Sequence, residues 1–251
     1  DAQLAAAQVD RRRLVDEASR AEQLERIDLQ RAALLRSVSH DLRTPLAAIR
    51  TIATDLRDGV EYDAETRTEL LTTVCDEVDR LDRLVANLLS LSRIEAGAFT
   101  PERQAIDLAE LVADRYRRLA PLLRDHDLRT DIPADLPLID ADYAQLEQVM
   151  TNLLANAVRH APAGSDLWVV ARQHGAKVRI EVSDRGAGVA EDARDEIFTA
   201  FRRGEGSRST GIGLAICRSI VEAHGGAIGV ERTFGGGATF WFTLPAAGGS
   251  R

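Results

Sequence analysis

Lysine, cysteine and long apolar runs are all scarce in this sequence. Of the 32 basic residues only Lys177 is a lysine, so any phosphate group has to be bound by arginine, backbone amides or a metal ion. Cys75 and Cys217 are too few for a disulfide framework or a cysteine-type zinc site. Because each cysteine lies in an apolar periodic segment, we expect two buried, reduced thiols. No run approaches the ~18 apolar residues of a membrane-spanning helix.

Composition narrows the class of protein further. The chain has 251 residues, 45% of them apolar, which is enough for a packed core in one large or two modest domains. The net charge of −8 argues against a general binder of nucleic acid or membrane surfaces, so we expect neither partner for these residues. No signal peptide opens the chain, which begins at Asp1, and we expect a soluble piece of a longer protein.

The first part of the chain has the periodicity of helices. Residues 1–30 are alanine-rich and charged, which predicts an exposed N-terminal helix or a weak coiled coil that serves as a linker. Two apolar runs with helical steps follow, on either side of the turn "RDGVEYDAET" at residues 57–66. Their members are Leu35, Val38, Leu42, Leu46, Ile49, Ala53 and Leu56, then Leu71, Val74, Val78, Leu81, Val85 and Leu88. Residues 31–98 are therefore predicted to form a helical hairpin that dimerises into a four-helix bundle.

Residues 99–251 mix strands with helices. The segments "DLWVVAR", "KVRIEVSD", "AIGVER" and "GATFWFTL" are β-rich, and helical stretches lie near 107–125, 142–160 and 211–224. This order predicts an α/β sandwich with one sheet and helices on one face.

The stretch "SVSHDLRTPL", residues 37–46, brings a histidine and an aspartate together on a predicted helix. Three interpretations of His40 compete: an exposed surface residue, a metal ligand, or a nucleophile with Asp41 as its base. Thr44 lies one turn further on and can position a water, and Pro45 can bend the helix. These ten residues alone leave the choice open.

A polar stripe runs along the segment "QLEQVMTNLLANAVRHAP". Its members Gln148, Asn152, Asn156 and Arg159 are spaced 4, 4 and 3 residues apart. Asparagine is a poor helix former, and amide oxygens suit a hard cation such as Mg²⁺ that carries nucleotide phosphates. The alternative is an ordinary solvent-facing surface.

Two glycine-rich turns follow. In "EVSDRGAGV", Asp184 can accept a hydrogen bond from an exocyclic amine, and Gly186 and Gly188 let the backbone pass close to a flat ring; a plain turn is the alternative. Further on, Gly211 and Gly213 precede a predicted helix, where free amides favour phosphate. The pattern is neither a Walker A loop nor a Rossmann turn.

Taken together and in this order, the motifs resemble the cytoplasmic core of a two-component sensor histidine kinase over residues 31–245. "SVSHDLRTPL" is similar to the H box, "NLLANAVRH" to the N box, "DRGAGV" to the first glycine box, "IFTAFRR" to the F box and "GIGLAI" to the second glycine box. The resemblance implies that residues 99–251 form a catalytic domain with the Bergerat fold, which binds ATP and Mg²⁺.

The resemblance also implies roles for single residues. His40 is the expected phosphoacceptor, Asp41 the general base, and Thr44 the residue that helps a water dephosphorylate the partner. Asn156, with Asn152 beside it, is the expected Mg²⁺ ligand. The residues expected to bind the nucleotide are Asn152, Asn156, Arg159, His160, Asp184, Gly186, Gly188, Phe201, Arg202, Gly211, Gly213 and Leu214.

The implied function is autophosphorylation of His40 by ATP, followed by transfer to the receiver domain of a response regulator. The homodimer would be the cytoplasmic part of a membrane sensor, and regulator phosphatase activity uses the same residues. A serine kinase of the same nucleotide fold and a nucleotide-binding signalling scaffold without kinase activity are the alternatives. Two departures from the family pattern stand out: Arg159 occupies a position that is often lysine, and the lid is reduced to "GEGSRST".

Overall fold

The computed structural model describes residues 38, 39, 41–95, 100–120, 123–199 and 211–248. They divide into two compact units, Asp1–Leu84 and Val85–Arg251, whose boundary falls inside a long helix. The predicted division into 1–30, 31–98 and 99–251 stays a prediction. No helix in the described ranges combines the length and apolarity that a membrane span requires.

The first unit is a helical hairpin, as the sequence predicts. Helix α1 includes residues 41–57, and α2 runs from Ala64 to Glu95. Gly59, with φ of +78°, makes the turn between them, and the Tyr62 hydroxyl donates to Asp55 Oδ2 at 3.1 Å across it. The Asp63 carboxylate accepts from the backbone N–H of Thr66 at 2.7 Å, which lowers the pKa of Asp63 and caps the start of α2.

The predicted seam of α1 is only partly right. The buried positions of α1 are Asp41, Pro45 and Ile52, whereas Leu42 is half-buried and Leu46 is 53% exposed. A helix of a four-helix bundle has one face toward its own hairpin and another toward the partner chain, so a single chain covers only the first. The predicted seam mixes these two faces.

The second unit is an α/β sandwich, which confirms the predicted fold class. Its elements are β1 (Gln104–Ile106), α3 (Leu108–Arg118), β2 (Leu128–Asp131), β3 (Ile139–Ala141), α4 (Tyr143–His160), β4 (Leu167–His174), β5 (Lys177–Ser183), α5 (Gly213–Ala223), β6 (Ala227–Arg232) and β7 (Ala238–Pro245). Two short 3₁₀ turns, Glu191–Ala193 and Glu196–Phe198, precede α5.

The main sheet has the strand order β2-β4-β5-β7-β6 and is antiparallel except for the β2–β4 pair. Strands β1 and β3 form a separate antiparallel pair, which the sequence analysis did not predict. One face of the main sheet is apolar and buried under the helices, with Ile180 and Phe242 fully buried. On the other face Arg179 lies 4.4 Å above the ring of Trp241 and forms ion pairs with Glu181 and Glu231.

Both cysteines lie in helices, but only one is buried. Cys217 of α5 is fully buried, as expected, whereas Cys75 of α2 is exposed. The expectation for Cys75 is wrong because it treated the apolar periodicity of α2 as burial. The apolar side chains near Cys75 are themselves exposed in a single chain, including Leu71 at 47% and Val78 at 43%.

Candidate nucleotide-binding site

Helix α4 provides one wall of the candidate site. Asp142 caps its start by accepting from the Gln145 N–H at 3.1 Å, and the Asp142 N–H donates to His224 Nε2 at 3.0 Å. Its apolar side is fully buried, with Leu146, Val149, Met150, Leu153, Leu154 and Ala157 in the core. The polar stripe therefore faces away from the core, as its spacing predicts.

Each member of the polar stripe has different surroundings. Gln148 donates to Asn87 Oδ1 at 3.2 Å and accepts from the Ser90 hydroxyl at 3.1 Å, both in the last part of α2. Asn152 donates from Nδ2 to the carbonyl of Gly213 at 3.3 Å. Asn156 is half-buried, and no other described residue forms a hydrogen bond or ion pair with its side chain. The Asn156 amide is thus available to a ligand.

The last turn of α4 carries Arg159 and His160, both exposed. Partial burial of the ring lowers the pKa of His160, the positive charge of Arg159 lowers it further, and the Asp184 carboxylate acts in the opposite direction. The lowered pKa favours the neutral imidazole at pH 7, which suits packing against an uncharged base.

Asp184 lies at the end of β5 and is only 1% exposed. Its Oδ1 accepts from the backbone N–H groups of Gly186 at 2.7 Å and Ala238 at 3.2 Å. Within the part of the chain that the structure describes, no hydrogen bond reaches Oδ2. The two backbone donors fix the carboxylate and leave Oδ2 to accept a hydrogen bond from a ligand.

Gly186 and Gly188 are required by the packing of the protein itself. A Cβ on Gly186 would lie 2.3 Å from the His160 carbonyl oxygen, and a Cβ on Gly188, whose φ is +77°, would lie 2.9 Å from the Gly237 carbonyl oxygen. The motif predicted either a close approach to a flat ring or a plain turn, and did not indicate these contacts within the protein. Their first role is to bring the Asp184 turn against the end of α4 and against the β6–β7 turn.

The β6–β7 turn is a part of the site that the sequence analysis largely missed. Gly235, Gly236 and Gly237 all have positive φ, and a Cβ on Gly237 would lie 2.0 Å from the carbonyl oxygen of Asp184. The Thr239 hydroxyl is 2.9 Å from those of both Ser183 and Thr233. The run of three glycines is the signal that indicates this close approach.

The start of α5 completes the described part of the site. Gly211 has φ of +66°, Ile212 at the N-cap makes no side-chain capping bond, and Gly213 and Leu214 are half-buried. First-turn amides without a side-chain cap suit a phosphate group. Just before the lid, Phe198 is buried and packs edge-on against Phe240 with ring centroids 6.3 Å apart.

The structure thus brings Asn156, His160, Asp184 and Gly186 together around one end of α4. His40, Phe201 and Arg202 lie outside the described residues, so their predicted roles stay predictions. Near His40, Asp41 is 5% exposed and Thr44 is exposed. The free amide oxygen of Asn156 on α4 is the kind of ligand that a hard cation such as Mg²⁺ prefers.

Comparison with family models finds two matches. Residues 30–97 match the His Kinase A (phospho-acceptor) domain. Residues 141–248 match the histidine kinase-, DNA gyrase B- and HSP90-like ATPase.

Among curated proteins, Sensor protein KdpD of Clostridium acetobutylicum is 36% identical over 221 residues, covering 86% of this chain and 25% of that protein. Sensor protein KdpD of Mycobacterium tuberculosis is 37% identical over a matched region that covers 96% of this chain and 29% of that protein. The Sensor-like histidine kinase SenX3 of the same species is 33% identical, covering 88% of this chain and 55% of its own. The chain therefore spans about a quarter to a half of these relatives.

Solved structures give the same picture of the fold. Full-length ShkA in complex with AMPPNP has a TM-score of 0.61 and 31% identity, covering 86% of this chain and 47% of that chain. The nucleotide-free catalytic domain of histidine kinase ThkA has a TM-score of 0.53 and 27% identity, covering 58% of this chain and 97% of its own.

Proposed function

Because the chain belongs to the sensor histidine kinase family, with a phospho-acceptor domain followed by an ATPase domain, we propose that it is a protein histidine kinase. It transfers the γ-phosphoryl group of ATP to His40 and then to an aspartate of a response regulator. The observation that carries the proposal is the Asp184 carboxylate, which is buried, fixed by two backbone N–H groups and left with one acceptor atom.

ATP binding uses this carboxylate and its neighbours. Asp184 Oδ2 accepts a hydrogen bond from the exocyclic amine of adenine, and the neutral ring of His160 packs beside the base. The uncapped start of α5 at Gly211 and Gly213 binds phosphate oxygens, and Phe201, Arg202 and Leu214 complete the lid side. The match of residues 141–248 to the ATPase family supports ATP as the nucleotide.

Mg²⁺ is the metal that fits this donor set, and Asn156 is the residue of α4 that would hold it. The bound ion supplies neutralisation of phosphate charge, which phosphoryl transfer needs more than covalent assistance. With a single lysine in the chain, further positive charge has to come from arginine, and we propose Arg159 at the end of α4 and Arg202, predicted from its motif, for this role.

In the chemical step, a ring nitrogen of His40 attacks the γ-phosphorus. The new N–P bond forms as the bond to the ADP oxygen breaks, and Asp41 takes the imidazole proton. The receiver aspartate then attacks phosphohistidine, the N–P bond breaks and the imidazole is restored. Thr44 positions the water that later hydrolyses the aspartyl phosphate.

The proposed assembly is a homodimer that docks the receiver domain of a response regulator. The match of residues 30–97 to the phospho-acceptor family and the exposed apolar positions of α2 support the dimer. The related sensor proteins support a place on the cytoplasmic side of a membrane sensor.

The test is labelling with γ-labelled ATP and Mg²⁺, using native protein, His40→Gln and Asp184→Asn. We expect acid-labile, alkali-stable label on the native protein only, and weaker ATP binding by Asp184→Asn. Label on the His40→Gln variant would show that another residue accepts the phosphoryl group and would favour the serine kinase. ATP binding without label would favour a signalling scaffold. In that case a phosphorylated receiver domain is added, and its dephosphorylation would indicate a phosphatase instead.

A further inference from the structure

The polar stripe of α4 suggests one continuous ligand surface, but its contacts divide it. The side chain of Gln148 forms hydrogen bonds with α2 and that of Asn152 with α5, whereas that of Asn156 forms none with the described residues. Of the two asparagines predicted to hold Mg²⁺, only Asn156 therefore presents an amide that the protein does not use.

Asn152 is packed against the first turn of α5. Its Nδ2 donates to the Gly213 carbonyl at 3.3 Å. A Cβ built on Gly213 would meet Asn152 Cγ and Oδ1 at 3.5 Å and Nδ2 at 3.8 Å, so the whole amide lies in van der Waals reach of this residue. Because a carbonyl can only accept, the nitrogen of the Asn152 amide has to face Gly213.

The next turn of α5 is also packed on α4 beside Asn152. Cys217 is fully buried, and its thiol lies 3.9 Å from the carbonyl of Val149, one turn before Asn152 on α4. Two successive turns of α5 therefore contact α4 in this region. A metal ion at Asn152 Oδ1 would have to compete with this packing.

Among the described residues, Asn152 is the side chain that hydrogen-bonds to the first turn of α5, which is otherwise held by buried apolar residues such as Ile212 and Ile216. Ile212 makes no capping bond through its side chain, and Gly211 before it has the positive φ of a chain reversal. The same first turn presents the amides that bind phosphate in the proposed function. A side chain that holds this turn on α4 thus sets where the phosphate amides point.

We propose that Asn152 is a positioning residue that fixes the start of α5 for the nucleotide phosphates, and that it is not a ligand of Mg²⁺. The inference rests on the proposed binding of Mg²⁺–ATP. Loss of the Asn152 amide would weaken ATP binding whether or not Mg²⁺ is present, because the contact is made by the protein alone. Loss of a ligand would weaken binding only when Mg²⁺ is present.

The experiment measures ATP affinity by calorimetry in excess Mg²⁺ and in EDTA for the whole chain. The dissociation constant of ATP in EDTA is divided by the dissociation constant in Mg²⁺. This ratio reports how strongly Mg²⁺ strengthens ATP binding, and it falls when a Mg²⁺ ligand is lost. We expect Asn152→Ala to weaken binding about fivefold in both conditions, the loss of one hydrogen bond, and to leave the ratio unchanged. Asn156→Ala is the matched control on the same face of α4. We expect it to reduce the ratio and to leave the dissociation constant of ATP in EDTA nearly native.

Asn152→Asp separates the two roles at constant side-chain size. A carboxylate is a stronger Mg²⁺ ligand than an amide but cannot donate to the Gly213 carbonyl. We expect this variant to bind ATP in EDTA as poorly as Asn152→Ala. A ratio that falls in Asn152→Ala as it does in Asn156→Ala would overturn the proposal, and so would unchanged affinity in both conditions.

Folding is checked by thermal denaturation without nucleotide. If Asn152→Ala does not fold, the dissociation constant of ATP in EDTA for Asn152→Asp still tests the proposal. A native value in that variant would overturn the positioning role. Native protein that binds no ATP would contradict the proposed function itself. If the native protein binds ATP in a Mg²⁺-dependent way but Asn152→Ala reduces the ratio, the proposed function stands. Only the role assigned to Asn152 would then be contradicted.

Discussion

Single residues of the site are held by backbone as much as by side chains. Asp184 and Gly186 were predicted from their motif, because the motif is local. The Ala238 N–H that fixes Asp184 is 54 residues away along the chain and arrives through the pairing of β5 with β7. No local pattern encodes that register, although the glycine run at 235–237 indicates an unusual turn.

Gly186 provides the first prediction at this scale. A methyl group there would overlap the His160 carbonyl, so Gly186→Ala has to push the Asp184 turn away from α4. We expect a loss of about 1–3 kcal/mol in the free energy of unfolding, the usual cost of overpacking, together with weaker ATP binding. Thermal and denaturant unfolding measure the first, and calorimetry the second.

Gly213→Ala is the matched control for stability. Its Cβ would make only ordinary contacts at 3.5 Å, and alanine favours the helix. Equal destabilisation by both substitutions would show that lost space is not the reason for glycine at 186.

His160 gives a prediction with a sign in pH. Its lowered pKa means that the imidazole titrates below its ordinary midpoint of about 6.5. At a pH between the folded and unfolded pKa values of His160, the unfolded chain binds more protons than the folded one. The contribution of His160 to the free energy of unfolding is therefore fully present above about pH 6.5 and is lost as the pH falls through the folded pKa. NMR titration of the imidazole measures the midpoint directly.

Two variants test the cause of that shift. Arg159→Gln removes a positive neighbour and is expected to raise the His160 midpoint, whereas Asp184→Asn removes a negative one and is expected to lower it. A native midpoint at or above 6.5 would contradict the burial on which the prediction depends.

The two thiols are expected to differ in reactivity. Burial raises the pKa of Cys217 to about 12, so it is a protonated, enclosed thiol, whereas Cys75 is exposed on α2. A thiol reagent at pH 8 should modify one cysteine in the native protein and two after denaturation. Peptide mass analysis identifies Cys75 as the native site, and fast native labelling of Cys217 would refute its burial in α5.

At the scale of elements, periodicity predicted long helices and strands well. Strand β6 begins and ends where the pattern "AIGVER" predicts, and α4 begins within one residue of its predicted start. Strands β1, β2 and β3 were missed because three or four residues are too few to show alternation. For α4, the spacing of four polar residues gives their common face but not their partners, which depend on how other elements pack.

The contacts of Gln148 lead to the prediction at this scale. Its amide accepts from Ser90 and donates to Asn87, residues one turn apart on α2, so both polar ends are satisfied. Gln148→Leu removes both bonds, each worth about 1 kcal/mol. We expect hydrogen exchange in residues 85–90 to become several-fold faster, with residues 70–78 unchanged.

The control is Gln173→Leu on β4, since among the described residues the Gln173 amide bonds only to the nearby Gly175 carbonyl at 3.0 Å. It should leave exchange in α2 at the native rate. If Gln148→Leu also leaves that rate unchanged, the two hydrogen bonds do not hold this part of α2.

At the scale of the molecule, several apolar side chains of the described part of the hairpin stay exposed in a single chain. The inner seam of α2, Val74, Leu81 and Leu88, is half-buried. The outer seam, Leu71, Val78 and Val85, is 43–47% exposed although its spacing is that of a heptad. The sequence predicted one combined seam, because a single helix does not show which of its apolar residues face the same chain.

The outer seam is expected to be the dimer interface, and Val78 lies at its centre. Val78→Glu would bury a charge opposite its symmetry mate, which costs several kcal/mol beyond the ~1.5–3 kcal/mol lost with the valine. We expect monomers in sedimentation velocity at concentrations where the native protein is dimeric. Val60→Glu is the matched control, because Val60 is 47% exposed but lies in the turn outside the seam.

The monomer should still bind ATP, because the site is built entirely from the second compact unit, Val85–Arg251. Binding retained after dissociation would therefore separate the two units in function. A Val78→Glu protein that remains dimeric would place the interface on another surface and leave the exposed heptad unexplained. Dissociation by Val60→Glu as well would indicate that any added charge near the hairpin is sufficient, and the outer seam would lose its special role.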